Sequence, residues 1–198
     1  IEATYHVGHP TLIEQRRTLL DEDGVIFRAP FIESTPRYQT DRRFPELALD
    51  PAVQTLFARL TSSDEGTPLL YDPPYTHQAE ALELTMRDGL SLAVTTGTGS
   101  GKTESFLLPM LAKLAAEAAH RPGSFARPAV RALILYPMNA LVNDQLGRLR
   151  LLLGDARVTS QFQSWAQRPA RFARYTSRTL YPGVRKVERD QQRLKSIE

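Results

Sequence analysis

From about Leu69 onward, the apolar positions of this chain alternate between short unbroken runs and longer stretches at helical spacing. The runs are Leu90-Ser91-Leu92-Ala93-Val94-Thr95 and Arg131-Ala132-Leu133-Ile134-Leu135-Tyr136, each of a length that suits a buried strand. The helical stretches begin with about Thr76 to Arg87, which comes after Pro73-Pro74 and is closed by Gly89. The second runs from Lys102 to about Ala119, with Phe106, Leu107, Met110, Leu111 and Leu114 as its apolar positions. The third covers about Asn139 to Leu153 and ends at Gly154. Strand–helix–strand–helix order predicts an α/β fold, a parallel sheet with right-handed crossovers and helices on both faces. Beyond Gly154 only Phe172 to Tyr175 reads as a further strand, and the chain has no internal repeat.

Residues 1–68 have a different pattern, helical and irregular, and are predicted to form an N-terminal accessory segment. A helix is expected from about Pro10 to Leu20, with proline at its start and Gly24 beyond its end. Val25-Ile26-Phe27 suits a short strand, and Pro30, Pro36 and Pro45 punctuate an irregular stretch after it. Asp50-Pro51 opens a second helix to about Leu60, a capping residue and then proline at the first helical position. The polar loop from Thr61 to Pro68 marks the boundary with the second region, 69–198.

Composition and charge add further constraints. The chain has no cysteine, so neither a disulfide framework nor a thiolate metal site is available, and a reducing cytoplasm fits. No apolar run approaches the roughly 18 residues of a membrane span, so no membrane partner is expected. The N-terminus lacks the basic and apolar regions of a signal peptide and an initiator methionine, as in a piece of a longer polypeptide. The net charge of +3 conceals a split: residues 1–119 carry 10 Lys+Arg against 17 Asp+Glu, residues 120–198 carry 15 against 5. Thirteen of those 15 are arginine, which grips phosphate with two parallel N–H bonds and stacks on bases. Composition alone leaves a nucleic-acid partner and a solvated arginine surface equally open.

The densest chemistry lies in Thr96-Gly97-Thr98-Gly99-Ser100-Gly101-Lys102-Thr103. Glycines here release the backbone into conformations closed to other residues, so successive N–H groups can converge on phosphate oxygens. A helix beginning just beyond adds the partial positive charge of its N-terminus. Thr98, Gly99, Ser100, Gly101, Lys102 and Thr103 are therefore the expected triphosphate cradle, with Lys102 reaching the outer phosphates and Thr103 holding a magnesium ion. The general spacing G-x-x-x-x-G-K-[ST] has glycine first, where this chain has Thr96.

Three segments together resemble the Q motif, motif I and motif Ia of superfamily 2 helicases of the DEAD/DEAH-like type. They are Tyr71-Asp72-Pro73-Pro74-Tyr75-Thr76-His77-Gln78, Thr96 to Glu104, and Tyr136-Pro137-Met138-Asn139-Ala140-Leu141-Val142-Asn143-Asp144-Gln145. The last is most similar to the large bacterial helicases that carry a C-terminal DUF1998 module, some of which serve DNA repair or antiphage systems such as Druantia and DISARM. Phe31 to Tyr38 is similar to the defence-associated members. The resemblance implies a RecA-like motor domain whose first part is residues 69–198, with ATP and Mg2+ as cofactors. It implies that Gln78 reads adenine, whose N6 and N7 a side-chain amide can match. The default for such a glutamine is a polar helix face. Tyr71 or Tyr75 is either a base-stacking ring or a packed aromatic, and His77 is structural. Catalytic roles fall to Lys102 and Thr103.

For nucleic acid, the resemblance implies backbone contacts at Pro137, Met138 and Asn139, where the family often has arginine in place of Asn139, and again at Thr176 and Arg178. Leu141, Val142 and Leu146 read as core, while Asp144 and Gln145 either cap the turn or have a function. Trp165 with Arg168, Arg171 and Arg174 suits a strand-binding face or a solvated arginine face about one aromatic. DNA is expected before RNA, and further partners are the second motor domain of the same polypeptide and other defence subunits.

The hydrolytic half of such a site is missing from these 198 residues. No Asp-Glu-x-His or Asp-Glu-x-Asp comes after an apolar strand, and no arginine finger is in view. The expectation is an ATP-dependent DNA helicase or translocase of which this chain supplies the ATP-binding half-site, inactive alone. The alternatives are a P-loop ATPase that does not act on nucleic acid and a non-hydrolysing interaction or loading module.

Overall fold

The computed structural model describes residues 8–26, 30, 32, 37–97 and 99–176. The chain divides into two units, Ile1–Arg37 and Tyr38–Glu198. In the first, helix α1 spans Pro10–Asp21, entered through the proline as expected, and none of its side chains is buried. Leu12 and Leu19 are more than half exposed. Val25 and Ile26 lie in a turn and bend instead of the expected strand, and Phe27 lies outside the described residues.

The second unit is built around one long helix. Helix α2 (Pro51–Thr61) begins where Asp50 accepts a hydrogen bond from the Ala52 N–H at 2.9 Å and Pro51 fills the first turn. Helix α3 (Thr76–Glu83) continues through a π turn at Leu84–Asp88 and ends at Gly89, whose φ of 63° is the left-handed stop that glycine permits. Helix α4 (Glu104–His120) comes directly after the glycine loop. The short α5 (Pro122–Ala126), then α6 (Asn139–Gly154) and α7 (Ala156–Ala166), complete the order.

Helix α4 packs against α2, α3, α5 and α7. Its buried face is Leu107, Leu108, Leu111, Ala112, Ala115 and Ala118. That face is turned from the expected one: Phe106 is 39% exposed. The alanines let neighbouring helices approach closely, and the large side chains come from those neighbours. Phe57 of α2 and Phe162 of α7 are fully buried; Phe44 stands edge-on to Phe57 at 5.1 Å, and Phe125 lies 5.4 Å from Phe162. Each such ring contributes about 1.5–3 kcal/mol by leaving water.

A buried arginine ties the 62–68 loop to this core. Arg157 donates to the Thr67 carbonyl at 2.9 Å, to the Arg59 carbonyl at 3.2 Å and to the Asp155 carboxylate at 2.9 Å. Asp155 also caps α7 by accepting from the Arg157 N–H at 2.8 Å. The Arg157 guanidinium holds the Asp155 carboxyl below its usual value, against the opposing effect of burial.

Among the described residues there is no strand, which overturns the expected α/β fold with its RecA-like parallel sheet. Residues 90–97, 128–136 and 171–175 are irregular. Their apolar side chains are not sequestered: Leu90 is 52% exposed, Leu133 76% and Leu135 81%. The physical reason is that a helix satisfies its backbone within one segment, whereas a strand exists only through ladder partners. Among the described residues neither apolar run has such a partner, and hydrophobicity alone does not supply one.

Candidate nucleotide site

The glycine loop stands at the N-terminus of α4, and its conformation explains its composition. Gly99 and Gly101 have φ of 75° and 72°, the left-handed region that other residues enter at a cost. A Cβ on Gly101 would also collide with the Gln78 amide nitrogen. Ser100 is buried, its hydroxyl 2.6 Å from that of Thr96. Thr96, at the position where the general pattern has glycine, thereby ties the two limbs of the loop together. None of the N–H groups of Gly99 to Thr103 donates to a described residue. Five successive donors at a helix N-terminus suit an anion.

Gln78 reaches the loop from α3. Its Nε2 donates to the Gly101 carbonyl at 2.9 Å, and its Oε1 accepts from the Tyr75 N–H at 3.0 Å. The amide thus clasps the loop while capping its own helix. Lys102 is exposed, and its ammonium donates to the carbonyls of Thr96 and Gly97, both at 2.6 Å. Thr103 lies in the turn before α4, where its carbonyl accepts from the Leu107 N–H at 3.0 Å. Thr98 lies outside the described residues.

These residues share a cleft of about 700 Å³, in the size range of small-molecule sites. Its lining includes Gly99 to Glu104 from the loop, Gln78 and Tyr75 from the start of α3, and Tyr71, Pro73 and Pro74 before it. Tyr71 is 88% exposed. Tyr75 is stacked on His77, 5.8 Å away at 19°, and Tyr38 lies 5.4 Å from Tyr75, with its hydroxyl close beside Gly97. Sequence reading missed Tyr38, whose partners lie 37 or more residues away.

The cleft also holds Glu104 and Arg148, joined by a 2.7 Å hydrogen-bonded ion pair that links α4 to α6. No sequence signal points to that pair, because 44 residues separate its members. Among the described residues no cluster of three His, Cys, Asp or Glu could hold a metal ion.

Pro137, Met138 and Asn139 are exposed at the start of α6, where Met138 occupies the cap position. The hydroxyl of Tyr136 is pushed up by burial and, more weakly, by Asp144, while Arg148 acts in the opposite direction. Leu146 is buried, Val142 half-buried and Leu141 39% exposed, so the expected core face of α6 is only partly covered. The side chains of Asp144 and Gln145 bond to each other at 3.0 Å. Arg174 donates to the Asn143 side chain at 2.6 Å, a link between the 171–176 segment and α6; Thr176 lies in that segment. Arg178 lies outside the described residues. Trp165 packs edge-on to Phe162 at 5.9 Å, and Arg168 donates to the Ala126 carbonyl at 2.9 Å. No described helix is long and apolar enough to cross a membrane.

Comparison with known proteins fits these features. Residues 75–180 match the DEAD/DEAH box helicase family. The whole chain is 46% identical to Druantia protein DruE of Escherichia coli (strain UMEA 4076-1), and spans 11% of that protein. Over an alignment of 110 residues that covers 50% of the chain, it is 34% identical to DEAD-box ATP-dependent RNA helicase 29 of Oryza sativa subsp. indica, covering 12% of that protein. The chain thus spans only about a tenth of the length of these relatives. No solved structure matches it significantly.

Proposed function

The chain belongs to the DEAD/DEAH box helicases, and from that membership we propose that it supplies the ATP-binding half-site of a nucleic-acid helicase or translocase. The observation that carries the reading is the loop of Gly99 to Thr103, whose five N–H groups donate to no described residue and which lines one cleft with Gln78 and Tyr75. The triphosphate lies along those donors at the N-terminus of α4. Lys102 exchanges the carbonyls of Thr96 and Gly97 for the outer phosphates, and Thr103 offers its hydroxyl to the magnesium ion that ATP brings. Gln78 and the tyrosines lie toward the base end. The ion supplies charge neutralisation at the phosphates.

Pro137, Met138, Asn139 and Thr176 form the strand-facing side, with the arginines of the C-terminal half attracting the phosphate backbone. The acidic pair and arginine finger that complete hydrolysis come from the remainder of the polypeptide, so this chain alone is inactive. DNA is the expected strand and antiphage defence the expected setting, supported by the likeness to Druantia protein DruE. A cytoplasmic setting is part of this reading.

The test is ATP hydrolysis by the intact polypeptide with and without single-stranded DNA or RNA. DNA should stimulate it more than RNA. Lys102→Ala should lower the stimulated rate about 10²–10³-fold, the usual penalty for removing one charge-stabilising donor, while DNA binding persists. Hydrolysis indifferent to any nucleic acid would sink the helicase reading.

A further inference from the structure

Binding of ATP as proposed leaves one charged pair in the cleft without a role. Glu104 is the first residue of α4, directly after Thr103, and its Oε1 accepts from Arg148 Nη1 at 2.7 Å. Its other oxygen lies close beside Gly101. A carboxylate at this point favours the helix, because first-turn acids complement the dipole. It opposes a triphosphate, because like charges repel strongly in a half-enclosed cleft.

Arg148 is placed to reverse that opposition. Among the described residues lining the cleft, Lys102 and Arg148 are the two cations. Arg148 lies on α6 nine residues beyond Asn139, about 14 Å along the helix at 1.5 Å per residue. One helix therefore carries the proposed strand contact at its start and a guanidinium in the nucleotide cleft. The arginine is also loosely held. Its side chain is 49% exposed and its bond is to Glu104, whereas Arg157 and Arg131 are 6% and 18% exposed and grip several carbonyls. Exposed pairs of this kind are weak, and a phosphate offers a guanidinium a stronger two-pronged partner than one carboxylate oxygen.

We propose that Arg148 is a second phosphate-binding residue of the cleft, held beside the loop by Glu104 and transferred to the outer phosphates when a nucleoside triphosphate binds. The transfer exchanges a tie from α6 to α4 for a tie from α6 to the nucleotide, so the helix bearing Pro137 to Asn139 responds to what the cleft contains. This inference rests on the ATP reading of the same cleft.

Equilibrium binding of ATP, ADP and AMP to the intact polypeptide tests it, by competition against a fluorescent adenine nucleotide. Wild-type protein should bind ATP, and Lys102→Ala should weaken it. Arg148→Ala should lower ATP affinity at least tenfold, ADP affinity less, and AMP affinity not at all; unchanged AMP binding also reports an intact fold. Arg148→Lys should retain part of the ATP affinity, and Glu104→Gln should raise it. The double variant Arg148→Ala/Glu104→Gln should stay weak. Wild-type ATP affinity in Arg148→Ala overturns the inference and leaves the ATP reading standing. Recovery in the double variant also overturns it, because Arg148 would then only cancel Glu104. Equal losses for ATP and AMP overturn it by showing a disturbed fold. Failure of the wild type to bind ATP removes both readings.

Discussion

The helices packed around α4 and the two apolar runs that flank it in sequence draw on the same kinds of residue, yet the molecule treats them in opposite ways. Val53, Leu56, Phe57 and Leu60 of α2 disappear from solvent, as do Val158 and Phe162 of α7. Leu90 and Leu92 before the phosphate loop, and Leu133 and Leu135 after it, remain open to water. The difference lies in how the backbone is satisfied. A helical segment arrives with its hydrogen bonds made and needs only a face to bury. A strand needs a partner for every residue and a cover on both sides. The phosphate loop sits at the junction: its downstream limb is anchored by α4 and Gln78, while its upstream limb continues into an exposed run.

The contrast can be broken most forcefully at the helical seam. Phe162 lies between Phe125 and Trp165 with no exposed surface. Phe162→Ala should destabilise the chain by about 3–5 kcal/mol, the range for emptying a buried aromatic site. Denaturant unfolding measures it. A loss under about 1 kcal/mol would show that α7 is not part of the working core.

The same division governs how far each region can be read from sequence. Several starts and stops of α1, α2 and α3 are legible because they depend on local chemistry: Pro10, Asp50-Pro51 and Gly89 act on their own neighbours. Helix α7 escapes the sequence reading although its signs are present, with Asp155 as a cap and Val158 and Phe162 four apart. The expected strands fail because an apolar run states a need for burial without naming a partner. Within the site, the glycine loop and Gln78 are visible as a contiguous motif and a neighbour 23 residues away. Tyr38 and the Glu104–Arg148 pair are not, because only packing of distant segments brings them together.

A middle-sized effect is expected at the cap of α7. Asp155 both caps that helix and receives the Arg157 guanidinium; Asp155→Asn keeps a capping side chain but loses the charge facing Arg157, and should cost about 1.5–3 kcal/mol near neutral pH. Its folded carboxyl titrates below the ordinary value, chiefly through the Arg157 hydrogen bond. A depressed folded value means that ionisation favours the fold. The contribution is complete above the unfolded carboxylate pKa of about 3.9 and is lost as pH falls through the lower folded value. Glu117, lowered by Arg131, adds to the same acid loss. The stability gap between wild type and Asp155→Asn should therefore close as pH falls below about 4. A gap that widens on acidification would reverse the sign assigned to Asp155.

The smallest expected effect is the one that most sharpens the comparison. Leu133 is 76% exposed in an irregular segment, so replacing it with serine removes little buried surface. Leu133→Ser should change stability by no more than about 0.5 kcal/mol, as surface substitutions do. The same denaturation experiment reads it. A penalty above about 2 kcal/mol would match the loss of a buried leucine. It would place the 131–136 run inside a packed interface, against the exposure seen for Leu133 and Leu135.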